Sequence, residues 1–129
     1  MKHIVFLVED DLAIIDVYSM AFKAAGIDFE VISLGKEVIK RIKNIQENKE
    51  EKPSLILLDL LLPDVNGTEI LKEIRQNNIT KDIAVFILSN YTSPETQKTD
   101  TIKPDRYIIK TSITPTQLVE LVKEQLNKK

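Results

Sequence analysis

The feature that most limits what this chain can fold into is a run of four aliphatic residues, Leu55, Ile56, Leu57 and Leu58, stopped by a carboxylate, Asp59. Pro53 precedes the run and Pro63 follows it. Proline lacks the amide donor and clashes with the preceding turn, so a long helix through this stretch is disfavoured. A short, unbroken apolar run between turn formers suits a strand buried on both faces, the kind found in a parallel sheet covered by helices. Open α/β sheets bind their ligands beyond the carboxyl ends of such strands, and Asp59 stands at one of those ends.

The rest of the chain alternates two periodicities. Ile4 to Val8 is a second apolar run, and it ends on Glu9, Asp10 and Asp11. From Leu12 the spacing changes to threes and fours, through Ile15, Tyr18 or Ser19, Phe22 and Ala25, which predicts a helix face. Asp10 or Asp11 can cap that helix, and Gly26 can stop it. A second strand is expected over Phe29 to Leu34, then a helix carrying Val38, Ile39, Ile42 and Ile45 inward. After a charged connection and the Leu55 strand, a third helix runs from Gly67 to Gln76 with Ile70, Leu71 and Ile74 inward. Ile83 to Leu88 and Arg106 to Ile109 complete the strands, ending at Ser89 and Lys110. Thr114 caps and Pro115 opens the last helix, with Leu118, Leu121, Val122 and Leu126 as its apolar positions. Between the last two strands, residues 92–104 carry one large aliphatic residue, Ile102, which predicts a short, loosely held helix beginning near Pro94.

Strictly alternating strands and helices predict right-handed crossovers and a parallel sheet with helices on both faces. The expected fold is α/β, a flavodoxin-like doubly wound five-stranded sheet of order 2-1-3-4-5 with five helices. Residues 1–129 read as a single domain without an attached output domain. With no cysteine, thiolate metal sites and disulfides are excluded. Lys and Arg are interspersed with acids at a net charge of −2, which argues against a nucleic-acid footprint. No apolar run approaches the roughly 18 residues of a membrane span, and acids at Glu9 and Asp10 interrupt any secretory signal. A cytoplasmic protein without membrane contact is the expectation.

In the predicted order, the strand ends bring Glu9, Asp10, Asp59, Ser89 and Lys110 to one edge. Converging carboxylates resist joint ionisation and need compensating positive charge. A hard divalent cation such as Mg²⁺, bound by few carboxylates and several waters, provides it. With an ammonium and a hydroxyl beside it, such a pocket suits a tetrahedral dianion attached to one of the acids.

The ordered set resembles a receiver domain of the two-component response-regulator family over essentially the whole chain. The matching residues are Val8-Glu9-Asp10-Asp11, Leu58-Asp59-Leu60-Leu61-Leu62-Pro63, Asn66-Gly67, Ser89 and Tyr107-Ile108-Ile109-Lys110. The resemblance implies that Asp59 accepts a phosphoryl group from a histidine kinase or histidine phosphotransfer protein. It implies that Glu9, Asp10, Asp59 and the Leu61 backbone carbonyl hold Mg²⁺, and that Lys110 and Ser89 contact the phosphoryl group. Tyr107 then corresponds to a switch aromatic that carries the state to a face built from the fourth helix, fifth strand and fifth helix, where a downstream protein docks. Such a domain catalyses its own phosphorylation and dephosphorylation rather than turning over a separate substrate.

Three positions depart from the family. Thr111 stands where proline usually follows the site lysine, so a trans peptide is expected, since a non-proline cis bond costs about 2.5–4 kcal/mol. Asn90 replaces a small residue beside Ser89. Leu61, two residues past Asp59, cannot orient a hydrolytic water, which implies slow self-dephosphorylation. Among other classes, a non-phosphorylated interaction module is opposed by the intact acids and lysine. An aspartyl-phosphate phosphatase is opposed by Leu61 in place of a second acid, and a flavin protein by three acids where its phosphate loop would lie. Asp11 reads as a cap, Asp64 as turn chemistry, and His3 as structural.

Overall fold

The structure is a computed structural model and describes residues 3–90 and 102–128. Its strands are β1 (Ile4–Val8), β2 (Asp28–Ile32), β3 (Leu55–Asp59), β4 (Ala84–Ser89) and β5 (Arg106–Ile109). They pair in parallel in the order β2-β1-β3-β4-β5, the expected doubly wound arrangement. The described helices are α1 (Leu12–Ala24), α2 (Gly35–Gln46), α3 (Gly67–Arg75) and α4 (Pro115–Leu126), the last of these being the fifth expected from sequence. The helix expected near Pro94 lies outside the described residues. No described helix is long and apolar enough to cross a membrane.

Alternation along the strands splits the core in two. Val5, Leu7, Leu55, Leu57, Phe86 and Leu88 face α1 and α4, against Tyr18, Phe22, Leu118 and Val122. Phe6, Val8, Ile56, Leu58, Val85 and Ile87 face α2 and α3, against Val38, Ile42, Ile70 and Ile74. Both faces of β3 are therefore covered, which is why its sequence is aliphatic without interruption.

Some local expectations shift. Leu12 is exposed, and the inward stripe of α1 instead follows Ile14, Tyr18 and Phe22, one helical turn apart. Leu34 does not belong to β2. It occupies the cap position of α2 and is exposed. Val119 joins Leu118 and Val122 in the core of α4. β4 begins and ends one residue later than expected, because the Ile83 amide is bound to the Thr80 carbonyl in the preceding turn. Thr114 and Gln117 form a reciprocal capping box on α4, and Asp11 caps α1 through the amides of Ala13 and Ile14. Gly26 takes φ +71° after α1, in the left-handed region that glycine enters without a Cβ penalty.

Gly67 matters for a different reason. A Cβ there would lie 2.7 Å from the Asp59 carbonyl oxygen and 2.8 Å from the Leu60 Cα, while the Gly67 amide donates to the Leu60 carbonyl at 2.9 Å. The start of α3 is pressed against the end of β3, with backbone rather than a flexible side chain in the way. Gly67→Ala is expected to lower unfolding stability by about 1–3 kcal/mol, the usual cost of overpacking. A urea midpoint equal to that of the wild-type chain would contradict this close approach.

Candidate functional site

Parity and register bring the acids together. Val5 pairs with Leu55 and Leu7 with Leu57, all on the α1/α4 face, so one further step of two residues sets Glu9 opposite Asp59 on neighbouring strands. Both are buried, although each is a carboxylate. Asp10 adjoins them from the surface. One oxygen from each of Glu9, Asp10 and Asp59 lies within 4.8 Å of the other two. Ile108 lies on the same face of β5, and two residues later Lys110 enters the cluster.

The Lys110 Nζ lies 2.5 Å from Glu9 Oε1 and 3.4 Å from Asp59 Oδ2, with its side chain 6% exposed. The lysine therefore neutralises Glu9 more completely than Asp59. The other oxygen of Glu9, Oε2, accepts from the amides of Asp10 and Asp11 at 3.1 and 3.3 Å. Asp59 Oδ1 accepts from the Leu61 amide at 3.2 Å. Burial, and then the Glu9 carboxylate, push the Asp59 acid up to about 7, against the opposing pull of Lys110 and the Leu61 amide. Burial pulls Lys110 downward, but its bond to Glu9 and the charge of Asp59 outweigh that, holding the ammonium above the ordinary lysine range.

The lysine arrives through a turn that sequence expectation described correctly in outline. Lys110–Ser112 forms a single 3₁₀ turn, and every described peptide bond is trans, including Lys110–Thr111. The entry to β5 is held by Arg75 at the end of α3. Its guanidinium donates to the carbonyls of Lys81, Ile83 and Lys103 and to Asp105 Oδ1, which also accepts from the Val85 amide. This knot fixes β5 beside β4, with Ser89 paired to Ile109 at the strand ends.

The remaining sequence candidates fall around this centre. Leu61 sits in the loop after Asp59 with its side chain exposed, bridged to Asn66. Tyr107 is on β5, paired with Ile87 and 36% exposed, beside a groove between β5 and α4 lined by Ile109, Ile113, Gln117 and Leu121. Asp11 serves as a cap. His3 is exposed at the opposite end of the sheet, with Nδ1 3.0 Å from Ser54 Oγ.

Two residues have roles that sequence reading missed. Tyr18 is buried, and its hydroxyl is made less acidic by burial first, with Lys110 opposing and Glu9 reinforcing the shift, so the phenol feels the cluster. The three-and-four spacing marked Tyr18 as core but carried no sign of that neighbourhood. Asp64 binds the amides of Gly35 and Lys36, so its partner lies on α2 rather than in its own turn.

The donor set is all oxygen, and the carboxylates outnumber the one cation buried with them among the described residues. Such a cluster fits a hard divalent ion. A five-stranded doubly wound sheet with acids at the ends of its first and third strands and a lysine at the end of its fifth defines a class, and the comparisons agree. The chain belongs to the response regulator receiver domain family, which matches residues 5–123. It is similar to the receiver domain protein described as CheY-like from Methanospirillum hungatei, at 27% identity and TM-score 0.81 over 98% of this chain and 95% of that one. The phosphorylated cyanobacterial phytochrome response regulator RcpA is similar at 29% identity and TM-score 0.78, over 96% and 91%. Among curated proteins, the DNA-binding response regulator MtrA of Mycobacterium leprae is 26% identical over 136 residues. The alignment takes in 99% of this chain and 53% of MtrA, so the chain spans about half the length of that relative.

Proposed function

We propose that this chain is a phosphoacceptor in two-component signalling, with Asp59 receiving a phosphoryl group from the phosphohistidine of a kinase or phosphotransfer protein. The observation that carries the reading is the convergence of Glu9, Asp10, Asp59 and Lys110 at one sheet edge. RcpA, described in its phosphorylated form, supports it.

The step needs Asp59 ionised, and its share in that form grows as pH rises through about 7. A carboxylate oxygen of Asp59 attacks phosphorus, a P–O bond forms, and the P–N bond of the donor breaks with its electron pair returning to the imidazole. Glu9, Asp10, Asp59 and the Leu61 carbonyl are the proposed holders of Mg²⁺, which when bound supplies positive charge against the acids and the phosphoryl oxygens. Lys110 stays close enough to exchange part of its contact with Asp59 for the phosphoryl group. Ser89, at the end of β4, is the proposed hydroxyl donor to that group.

The phosphoryl group adds roughly −1.5 to −2 charge and three acceptors, enough to bias a two-state element. The proposed read-out is a protein docking on the face of β5 and α4, with Tyr107 moving as Ser89 is drawn in. MtrA is described as DNA-binding and is about twice as long as the matched segment. That description belongs to MtrA; the read-out proposed for this chain rests on the exposed Tyr107 beside the groove between β5 and α4.

Incubation with Mg²⁺ and acetyl phosphate, followed by mass spectrometry of the intact chain, tests the reading. A single phosphoryl adduct is expected on the wild-type chain, and none on Asp59→Asn or with the metal chelated. Equal labelling of Asp59→Asn would overturn it. Leu61 bears on how long the adduct survives: Leu61→Glu, which can orient water, is expected to shorten the lifetime by about tenfold or more. A lifetime unchanged or lengthened by that substitution would count against Leu61 as the cause of slow hydrolysis.

A further inference from the structure

The loop between β3 and α3, residues 60–66, holds the Leu61 amide that binds Asp59 and the Leu61 carbonyl proposed for the metal. At its far end the loop is fastened by Gly67, whose amide donates to the Leu60 carbonyl, and by the bridge between Leu61 and Asn66. A second fastening reaches a different helix. Asp64 Oδ1 accepts from the Gly35 amide at 2.8 Å and Oδ2 from the Lys36 amide at 3.0 Å.

These are the first amides of α2, which need partners from outside their own helix. The cap position of α2 is Leu34, and no side-chain cap bond comes from it. Asp64 therefore caps α2 from another loop, with both oxygens engaged and its charge set at the positive end of the helix dipole. The Lys36 amide first, and the Gly35 amide with it, hold the Asp64 carboxyl below the usual carboxylate range. Gly35 has no room for a side chain, since a Cβ would lie 2.7 Å from Val65 Cβ and 3.1 Å from Asp64 Oδ1. The loop and the helix end are in direct contact.

We propose that Asp64 is a positioning residue for the metal site: by clasping the first two amides of α2 it holds the β3–α3 loop so that Leu61 stays in place beside Asp59. The inference rests on the metal-holding role proposed above for Glu9, Asp10, Asp59 and Leu61. Asp64 itself contributes no ligand. Its effect passes through the loop backbone, as groups behind a ligand orient it and tune affinity. The amino end of α2 is consequently coupled to the acid cluster, although neither Gly35 nor Lys36 belongs to it.

Mg²⁺ titration of the full chain, followed by calorimetry and by backbone amide NMR, tests this with the metal alone. Asp64→Ala is expected to weaken Mg²⁺ binding about tenfold, and Asp64→Asn, whose single amide oxygen can accept from one of the two amides, by less. In the wild-type chain the Gly35 and Lys36 amide resonances are expected to shift as Mg²⁺ is added. Asn77→Ala removes a comparable local bond, to the Ile79 amide, at the end of α3 remote from the acids. It is expected to lower the melting temperature while leaving Mg²⁺ affinity unchanged. Affinity in Asp64→Ala equal to wild type, with a lowered melting temperature, would overturn the inference and leave Asp64 a helix cap only. Should Asp64→Ala fail to fold, an unchanged affinity in Asp64→Asn together with unmoved Gly35 and Lys36 resonances would overturn it equally. Absence of Mg²⁺ binding in the wild-type chain would overturn the metal-holding role itself, and is seen before any variant is made.

Discussion

Lys110→Met is expected to destabilise the metal-free chain by about 3–5 kcal/mol at pH 8, the cost of removing one partner from a buried ion pair. Glu9 is fully buried and takes its only side-chain cation among the described contacts from Lys110 at 2.5 Å. Without that ammonium, two carboxylates face each other with only backbone amides to hold them. The loss shrinks at pH 5, because Asp59 then carries a proton and its charge repulsion with Glu9 is removed. Added Mg²⁺ restores part of the difference by supplying the missing charge. Phosphoryl labelling is expected to slow by about 10²–10³, the usual effect of deleting one preorganised charge-stabilising donor. Urea unfolding at the two pH values, with and without Mg²⁺, measures this. Wild-type stability for the variant at pH 8 in chelator would show that the buried pair is not what holds the acids.

Asp59→Asn carries the opposite sign. The acid is raised to about 7 in the folded chain from an ordinary value near 3.8. A raised acid favours folding while it is protonated, and that contribution is lost as pH climbs from about 4 through about 7. The amide never ionises, so the variant escapes the loss. In metal-free solution Asp59→Asn is therefore expected to match the wild-type chain near pH 4 and to exceed it by about 2–4 kcal/mol at pH 8. Saturating Mg²⁺ narrows the gap, since only the wild-type chain keeps the full acid set. Parallel stability curves from pH 4 to pH 8 would contradict the raised acid.

Opposite signs for these two variants would identify the crowding of Glu9 and Asp59 as a cost to the folded chain that Lys110 offsets. Asp59 is 6% exposed and its one lysine lies nearer to Glu9. The crowding destabilises the empty chain and is relieved by a cation or by a proton.

Much of this was legible in the sequence because strand parity is strict. Apolar runs ending on Glu9, Asp59 and Lys110 specify a face as well as an edge, and the parallel register then does the rest. Thr114, Pro115 and Gln117 are a local motif, so the start of α4 was readable. Leu12 misled because the first turn of a helix can leave a leucine in solvent when Ile14, Tyr18 and Phe22 already fill the face. Asp64 was invisible for a different reason. Its partners, Gly35 and Lys36, are 29 and 28 residues away and are backbone amides, which no spacing rule encodes. Tyr18 likewise owes its electrostatic neighbourhood to Lys110 and Glu9, 92 and 9 residues away, and only the folded chain brings these together.

The most direct measurement of the central claim is calorimetric titration with Mg²⁺ at pH 6 and pH 8, repeated in buffers of different ionisation heat. An acid raised to about 7 must lose its proton before the cation is held. Binding about tenfold tighter at pH 8 than at pH 6 is expected, with close to one proton released per ion at pH 6 and little at pH 8. Asp59→Asn is expected to lose both the affinity and its pH dependence. Undetectable binding at either pH, or an affinity indifferent to pH and unchanged in Asp59→Asn, would contradict the central claim.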